Sequence, residues 1–303
     1  MPARTDRKYP DDAFLGGGRL DDVNEWRCPL CGEVGKKTRE HVLPLWLGNL
    51  LFDTWADDAP LNVSYRFTRY GEDKVIERSR ETERPEVVVR DVCKRCNTGW
   101  MSKLESAAKP LLSPLVLGHP ARLEMAQQVT IAHWAAKTVA LIERFATDSV
   151  VFEDGDVDEI RDVGAPMGFH VRLAYRPRFA EPFDIVASTA HVITRNEADA
   201  DVAAGRSHRV GDANNFLVTF AFGGLVIAVA GGPGIRRDGR WVDGGEQPLM
   251  VWPPTIGGIS WPPAAPVIRS KADLHKFHEA LYIRTLNPEV GERIVPPTEP
   301  SSR

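Results

Sequence analysis

Cys28-Pro-Leu-Cys31 and Cys93-Lys-Arg-Cys96-Asn97 decide how this chain is read, because they contain its only four cysteines. Two Cys-x-x-Cys knuckles bring four thiolates to one tetrahedral Zn²⁺, and no cysteine is left over for disulfide or nucleophilic chemistry. Four sulfur ligands leave no open coordination position. The expected zinc on Cys28, Cys31, Cys93 and Cys96 is therefore structural, replacing a hydrophobic core that a small lobe lacks.

Outward from the first knuckle come Lys36, Lys37 and Arg39, then the pair Glu40-His41 and Pro44. Hydrolysis of a phosphodiester needs a cation to offset charge developing on the phosphate and a base to deprotonate the attacking water. Histidine is a natural base and a carboxylate a natural ligand for Mg²⁺. Neighbours on an extended strand point to opposite faces, so Glu40 and His41 face a single ion only if the chain twists or bulges there. Asn97, directly after the last cysteine and at the mouth of an expected helix, is either an N-cap or a ligand. A ligand there would put phosphate oxygens close to a helix N-terminus, which favours anions.

These residues, CPLCGEVGKKTREHVLPLW followed by DVCKRCNTGWMSKLE, resemble the HNH or ββα-metal nucleases built on a zinc-stapled treble-clef scaffold. The likeness is greatest to the branch that includes phage junction-resolving endonucleases, where an acidic residue and a histidine follow the first knuckle and an Asn follows the second. It covers about residues 26 to 108, roughly a quarter of the chain. The resemblance implies that Glu40 and Asn97 hold one catalytic Mg²⁺ or Mn²⁺, that His41 is the general base, and that DNA, with RNA as the alternative, is the substrate. Where the common HNH pattern has a middle Asn and a helix His, the stretch Glu86 to Val92 has no Asn and the helix no His. A zinc-stabilised module that binds nucleic acid or protein without cutting is thus the second expectation, and a ribonuclease on the same scaffold the third. Asn62 and Glu105 are weaker candidates for support of the site and read first as surface residues.

The whole chain has a net charge of −4, which gives no global attraction to nucleic acid. Residues 1 to 118 hold 19 basic against 19 acidic side chains and the remainder 19 against 23, so a phosphate-binding surface has to be local. Lys36, Lys37, Arg39, Lys94, Arg95 and Lys103 are its candidates. The N-terminal stretch has no apolar segment of signal-peptide length, so a cytoplasmic location is expected, where paired cysteines favour metal over disulfide. No membrane partner is expected, because the longest apolar run, Phe216 to Ala230, is too short to span and is divided by Gly223-Gly224 into the halves of a hairpin. Nothing in the sequence fixes an oligomeric state.

The predicted fold class is α+β: a zinc-stapled treble-clef lobe, a helix, and a mostly antiparallel β-rich C-terminal domain. Residues 1–20 read as an arm, 21–118 as the zinc lobe with an insertion at 46–84, 119–148 as a connecting helix, 149–287 as the β-rich domain and 288–303 as a tail. Within the insertion, Ser64 to Tyr70 and Lys74 to Glu77 suggest a hairpin. Glu86 to Val92 suggests a strand, and Trp100 to Lys109 a helix that stops at Pro110. Arg122 to Phe145 carries Ile131, Trp134, Ala135, Thr138, Leu141, Ile142 and Phe145 at helical spacing. Strands are expected over 169–175, 183–194, 215–222 and 225–230, with a late helix over 272–286. The two Trp-Pro-Pro motifs at Trp252 and Trp261 read as packed turns.

Overall fold

A computed structural model describes residues 26–55, 63–70, 75–82, 88–146, 152, 154–177, 183–190, 215–232, 247–264 and 267–285. Its strands and helices follow as β1 (Lys37–His41), α1 (Leu45–Trp55), β2 (Val63–Tyr70), β3 (Val75–Thr82), β4 (Val88–Cys93), the turn α2 (Lys94–Cys96), a π-helical turn (Asn97–Met101), α3 (Ser102–Val116), β5 (Ala121–Leu123) and α4 (Met125–Ala146). The rest is α5 (Asp154–Asp162), β6 (His170–Tyr175), β7 (Phe183–Ala190), β8 (Asn215–Phe222), β9 (Leu225–Gly231), β10 (Leu249–Trp252), β11 (Ile259–Trp261) and α6 (Lys271–Thr285). The mixed α and β content with mainly antiparallel sheets agrees with the α+β class. The expected N-terminal arm, the tail and Asn62 lie outside the described residues.

Among the described residues seven strands form the main sheet in the order β10-β6-β9-β8-β7-β2-β3, and of these neighbours only β2 and β7 run parallel. Every residue of β8 and β9 is buried. Both faces of these strands are covered, which explains their continuous rather than alternating apolar sequence. On one face Trp134 of α4 meets Phe220 and Phe222 edge-on, with ring centroids 6.1 and 6.0 Å away. On the other, His278 of α6 bonds Ser188 Oγ through Nε2 at 2.8 Å and Thr219 Oγ1 through Nδ1 at 2.9 Å. Ile131, Trp134, Ala135, Thr138, Leu141 and Ile142 are all buried, as the helical spacing of the sequence requires.

The insertion is the first departure from expectation. Its hairpin, β2 and β3, belongs to the main sheet: all eight residues of β2 pair in register with β7, from Val63 opposite Phe183 to Tyr70 opposite Ala190. Leu45–Trp55, which runs into the expected insertion at 46–84, forms α1 with Leu47 and Leu51 buried. The second departure is α3, which continues through Pro110 and Pro114 to Val116. A proline inside a helix costs about 3 kcal/mol, but Leu112, Leu115 and Val116 beyond it are fully buried. Each such side chain contributes about 1.5–3 kcal/mol, so the three together are of the size needed to offset breaks at both Pro110 and Pro114. The long helix begins at Met125, not Arg122, because Ala121–Leu123 pairs with Ile259–Trp261. Trp252 donates Nε1–H to Pro166 O at 2.9 Å and Trp261 packs edge-on against Tyr175, so both Trp-Pro-Pro motifs are packed.

Candidate functional site

The first knuckle is closed by its own backbone: Cys31 N–H and Gly32 N–H both donate to Cys28 O, at 3.3 and 2.7 Å, and Cys28 N–H donates to Glu33 O at 2.9 Å. Gly32 takes the left-handed φ of 67° that this turn requires. The second knuckle opens α2, where Cys93 is the N-cap and its Sγ accepts Cys96 N–H at 3.4 Å. β1 and β4 pair antiparallel, with Lys37 opposite Cys93, and join the two knuckles. All four Sγ atoms lie within 4.8 Å of one another. Cys28–Cys96 is 4.0 Å and Cys31–Cys93 3.7 Å, close to the ~3.8 Å edge of a tetrahedron with Zn–S bonds of about 2.3 Å. Burial pushes the Cys28 and Cys96 thiols up, a cost that a bound dication offsets. The four cysteines can hold a structural metal such as zinc.

Glu40 and His41 end β1, opposite Val89 and Val88. A bulge is present, but between Thr38 and Glu40, ahead of the pair. Register is regular from Glu40 to His41, so the two side chains leave opposite faces of the ribbon. Glu40 is buried and His41 half-buried.

Asn97 clamps that bulge. Its Nδ2 donates to Arg39 O at 2.9 Å and to Thr38 Oγ1 at 3.2 Å. With φ −57° and ψ −56° it lies inside the helical path, so it is not an N-cap, and the helix mouth is at Cys93. The helix N-terminus is therefore four residues earlier in the chain than Asn97 implied. The amide nitrogen of Asn97 is thereby committed to the bulge. Asn97→Ala removes the donor to the exposed Arg39 carbonyl and the half-buried Thr38 hydroxyl and is expected to cost about 0.5–1.5 kcal/mol in chemical denaturation. Asn97→Asp, which keeps an oxygen but loses the donor, should cost a similar amount; a wild-type midpoint for either variant would refute the clamp.

Glu105 is not an ordinary surface residue. Its Oε1 takes a 2.7 Å ion pair from Nζ of Lys137 on α4, a lysine only 1% exposed. Lys137 and Glu105 are also the two charges that act most on Glu40. Burial raises the Glu40 carboxyl to about 7, opposed by Lys137 and assisted by Glu105. One helical turn away, His133 stacks on Trp100 with centroids 6.0 Å apart and donates Nε2–H to Ile160 O, 2.6 Å away. Burial lowers the pKa of His133. Lys137 was missed from the sequence, yet a signal was there: it falls three residues after Trp134 and four before Leu141, on the apolar stripe.

The carboxyl of Glu40 has its proton affinity raised by folding, so the stability it contributes is full below its ordinary value of 4.5 and is lost as pH rises through about 7. Glu40→Gln, which mimics the protonated form, should raise the stability of the magnesium-free protein at pH 8 by on the order of 1–3 kcal/mol and change it little at pH 4. Equal effects in thermal melts at both pH values would show that burial of charge is not the cause.

Lys36, Lys37, Arg39, Lys94, Arg95 and Lys103 are all exposed. Arg95 is ion-paired with Glu33, and Lys37 Nζ lies 5.5 Å from the ring centroid of Trp26. Among the described residues no helix is long and apolar enough to cross a membrane. Comparison of the chain with protein-family models, with curated proteins and with solved structures finds no match to any of them.

Proposed function

We propose that this chain is a metal-dependent endonuclease of the HNH type that hydrolyses phosphodiester bonds in DNA, on a treble-clef lobe stapled by zinc. One observation carries the reading: the Glu40-His41 strand is fixed at one end to the four-cysteine cluster and clamped at its bulge by Asn97, the residue following that cluster. Such fixation holds a base and a cation ligand in place before substrate arrives, which is what catalysis by positioning requires.

In this reading His41 takes a proton from water as the water oxygen attacks phosphorus in line, and the 3′ or 5′ oxygen leaves on the far side. Glu40 and the amide oxygen of Asn97 would hold the divalent ion, with Glu105 beside them. When bound, Mg²⁺ or Mn²⁺ supplies charge neutralisation on the phosphate and the leaving oxygen. Lys137 restrains Glu105 and keeps positive charge near a carboxylate that burial would otherwise neutralise. The exposed Lys36, Lys37, Arg39, Lys94 and Lys103 would meet flanking phosphates.

Plasmid nicking tests the proposal. Activity should vanish in EDTA and return with Mg²⁺ or Mn²⁺ while zinc content, assayed in the same sample, is unchanged. Nicking that persists with zinc retained and no added divalent ion would sink it. A second reading, a zinc-stabilised module that binds without cutting, is favoured by the regular register that sends Glu40 and His41 to opposite faces. Duplex binding without cleavage across Mg²⁺, Mn²⁺, Ca²⁺ and Co²⁺ would select it, and parallel assays on plasmid, single-stranded DNA and structured RNA separate a ribonuclease from both.

A further inference from the structure

The bulge in the β1–β4 ribbon decides which side chains stand beside His41. Register passes from Thr38 opposite Val92 to Glu40 opposite Val89, so Arg39 is met by two residues of β4, Arg90 and Asp91. Side chains alternate along each strand. Counted from the His41–Val88 pair, Arg39 and Arg90 belong to the His41 face, while Glu40 and Val89 belong to the other. Burial gives the same division. Glu40, Val89 and Val92 are buried, whereas Arg39 and Arg90 are exposed and His41 is half-buried.

Both arginines are therefore neighbours of His41 on the open side of the ribbon. Two residues along a strand are about 7 Å apart and diagonal cross-strand neighbours about 7–8 Å, distances that long side chains span. Asn97 holds the backbone of Arg39 through its carbonyl. The guanidinium groups are uncommitted: among the described residues Arg95, Arg122, Arg161 and Arg176 each have a carboxylate partner, and neither Arg39 nor Arg90 forms an ion pair. Asp91, the acidic residue of the bulge, is half-buried; burial raises its carboxyl pKa, opposed by Arg144 and Lys37. Exposed arginines are ordinarily no more than a solvated surface. These two are set against each other by a bulge, a device that recurs beside active sites because it re-aims side chains. Glu40 leaves the opposite face, so the fixed positive charge on the side of His41 is that of Arg39 and Arg90, with Lys37 one step further along β1.

We propose that Arg90 binds the phosphate that is cut, on the His41 face of the ribbon, with Arg39 across the bulge on the phosphate next to it. It rests on the nuclease reading for the role of His41 as base. As the water oxygen bonds to phosphorus, its proton passes to His41 and the bond to the leaving oxygen breaks. Negative charge gathers on the non-bridging oxygens, where the planar fork of Arg90 donates.

Single-turnover nicking of plasmid in Mg²⁺ by the full-length protein is the test. Arg90→Gln should lower the rate at saturating protein about 10²-fold, with zinc content and melting temperature near wild type. In the His41→Ala background, which leaves a labelled duplex uncut, Arg90→Gln should reduce the log–log salt slope of binding by about 0.9, one phosphate contact. Lys276→Gln, at an exposed position of α6 beyond the main sheet, should change neither. If Arg90→Gln melts early, Arg90→Lys decides: it keeps the charge and loses the fork, so nicking should be several-fold slower with the slope unchanged. A wild-type rate in folded Arg90→Gln or Arg90→Lys, or an unchanged salt slope in folded Arg90→Gln, would overturn the proposal while leaving the nuclease reading in place. Absence of nicking by the wild type in both Mg²⁺ and Mn²⁺ would remove that reading and the role of Arg90 together.

Discussion

Cys96→Ser protein is expected to lose its zinc and, with it, the fold of the cysteine lobe, whereas wild type should carry about one zinc per chain. The two-stranded β1–β4 ribbon is marginal by itself. Buried residues around it, among them Leu30, Val42, Leu43 and Val92, surround the four sulfurs and continue into the core that holds Trp134 and Phe220. Structural zinc in comparable peptides binds with an apparent free energy of about 10–16 kcal/mol, as large as the whole stability of an ordinary domain at roughly 5–15 kcal/mol. Hydrogen exchange should become fast across 28–43 and 88–101 while 215–231, enclosed by α4 and α6, stays protected. A serine variant that keeps slow exchange in the knuckles would show that the sulfur cluster is dispensable.

The second large effect is expected at His41. Its alanine variant should nick plasmid about 10²–10⁴-fold more slowly, the range that a positioned general base contributes. The side chain is half-buried at the end of β1, so its loss should leave zinc content and the melting temperature close to wild type. Added imidazole is expected to restore part of the rate, since a small base can enter the vacated volume; a merely structural histidine would show no such rescue. Wild-type nicking by a folded, zinc-loaded His41→Ala protein would remove His41 from the chemistry.

Much of this arrangement was legible because chemistry constrains the residues that carry it. Paired cysteines have few uses, and the four indeed converge. Strands 215–222 and 225–231 announced themselves through long apolar runs around Gly223-Gly224. What was hidden depended on distant partners. Alternation in 63–82 marks a hairpin but says nothing of which sheet it joins, and the parallel pairing with β7 is set more than a hundred residues later. Pro110 signals a helix end locally, yet burial of Leu112, Leu115 and Val116 decides otherwise. Asn97 could be placed beside the site from sequence, but not the direction of its amide, which depends on where the bulge at Arg39 falls.

Parallel pairing of β2 with β7 has a consequence for how the chain reaches this structure. The clustered cysteines Cys31 and Cys93 flank a segment whose partner strand, Phe183–Ala190, is made long after both knuckles have left the ribosome. The knuckles can close early through contacts at modest sequence separation, but the hairpin between them then waits as an unpaired ribbon until β7 arrives. Such non-local pairings are slow to form, and their exposed edges are open to wrong partners in the meantime. Excising the cysteine region as a separate fragment would make that waiting state permanent. Metal capture can then precede sheet completion, and a shortage of zinc during synthesis is expected to appear as aggregation.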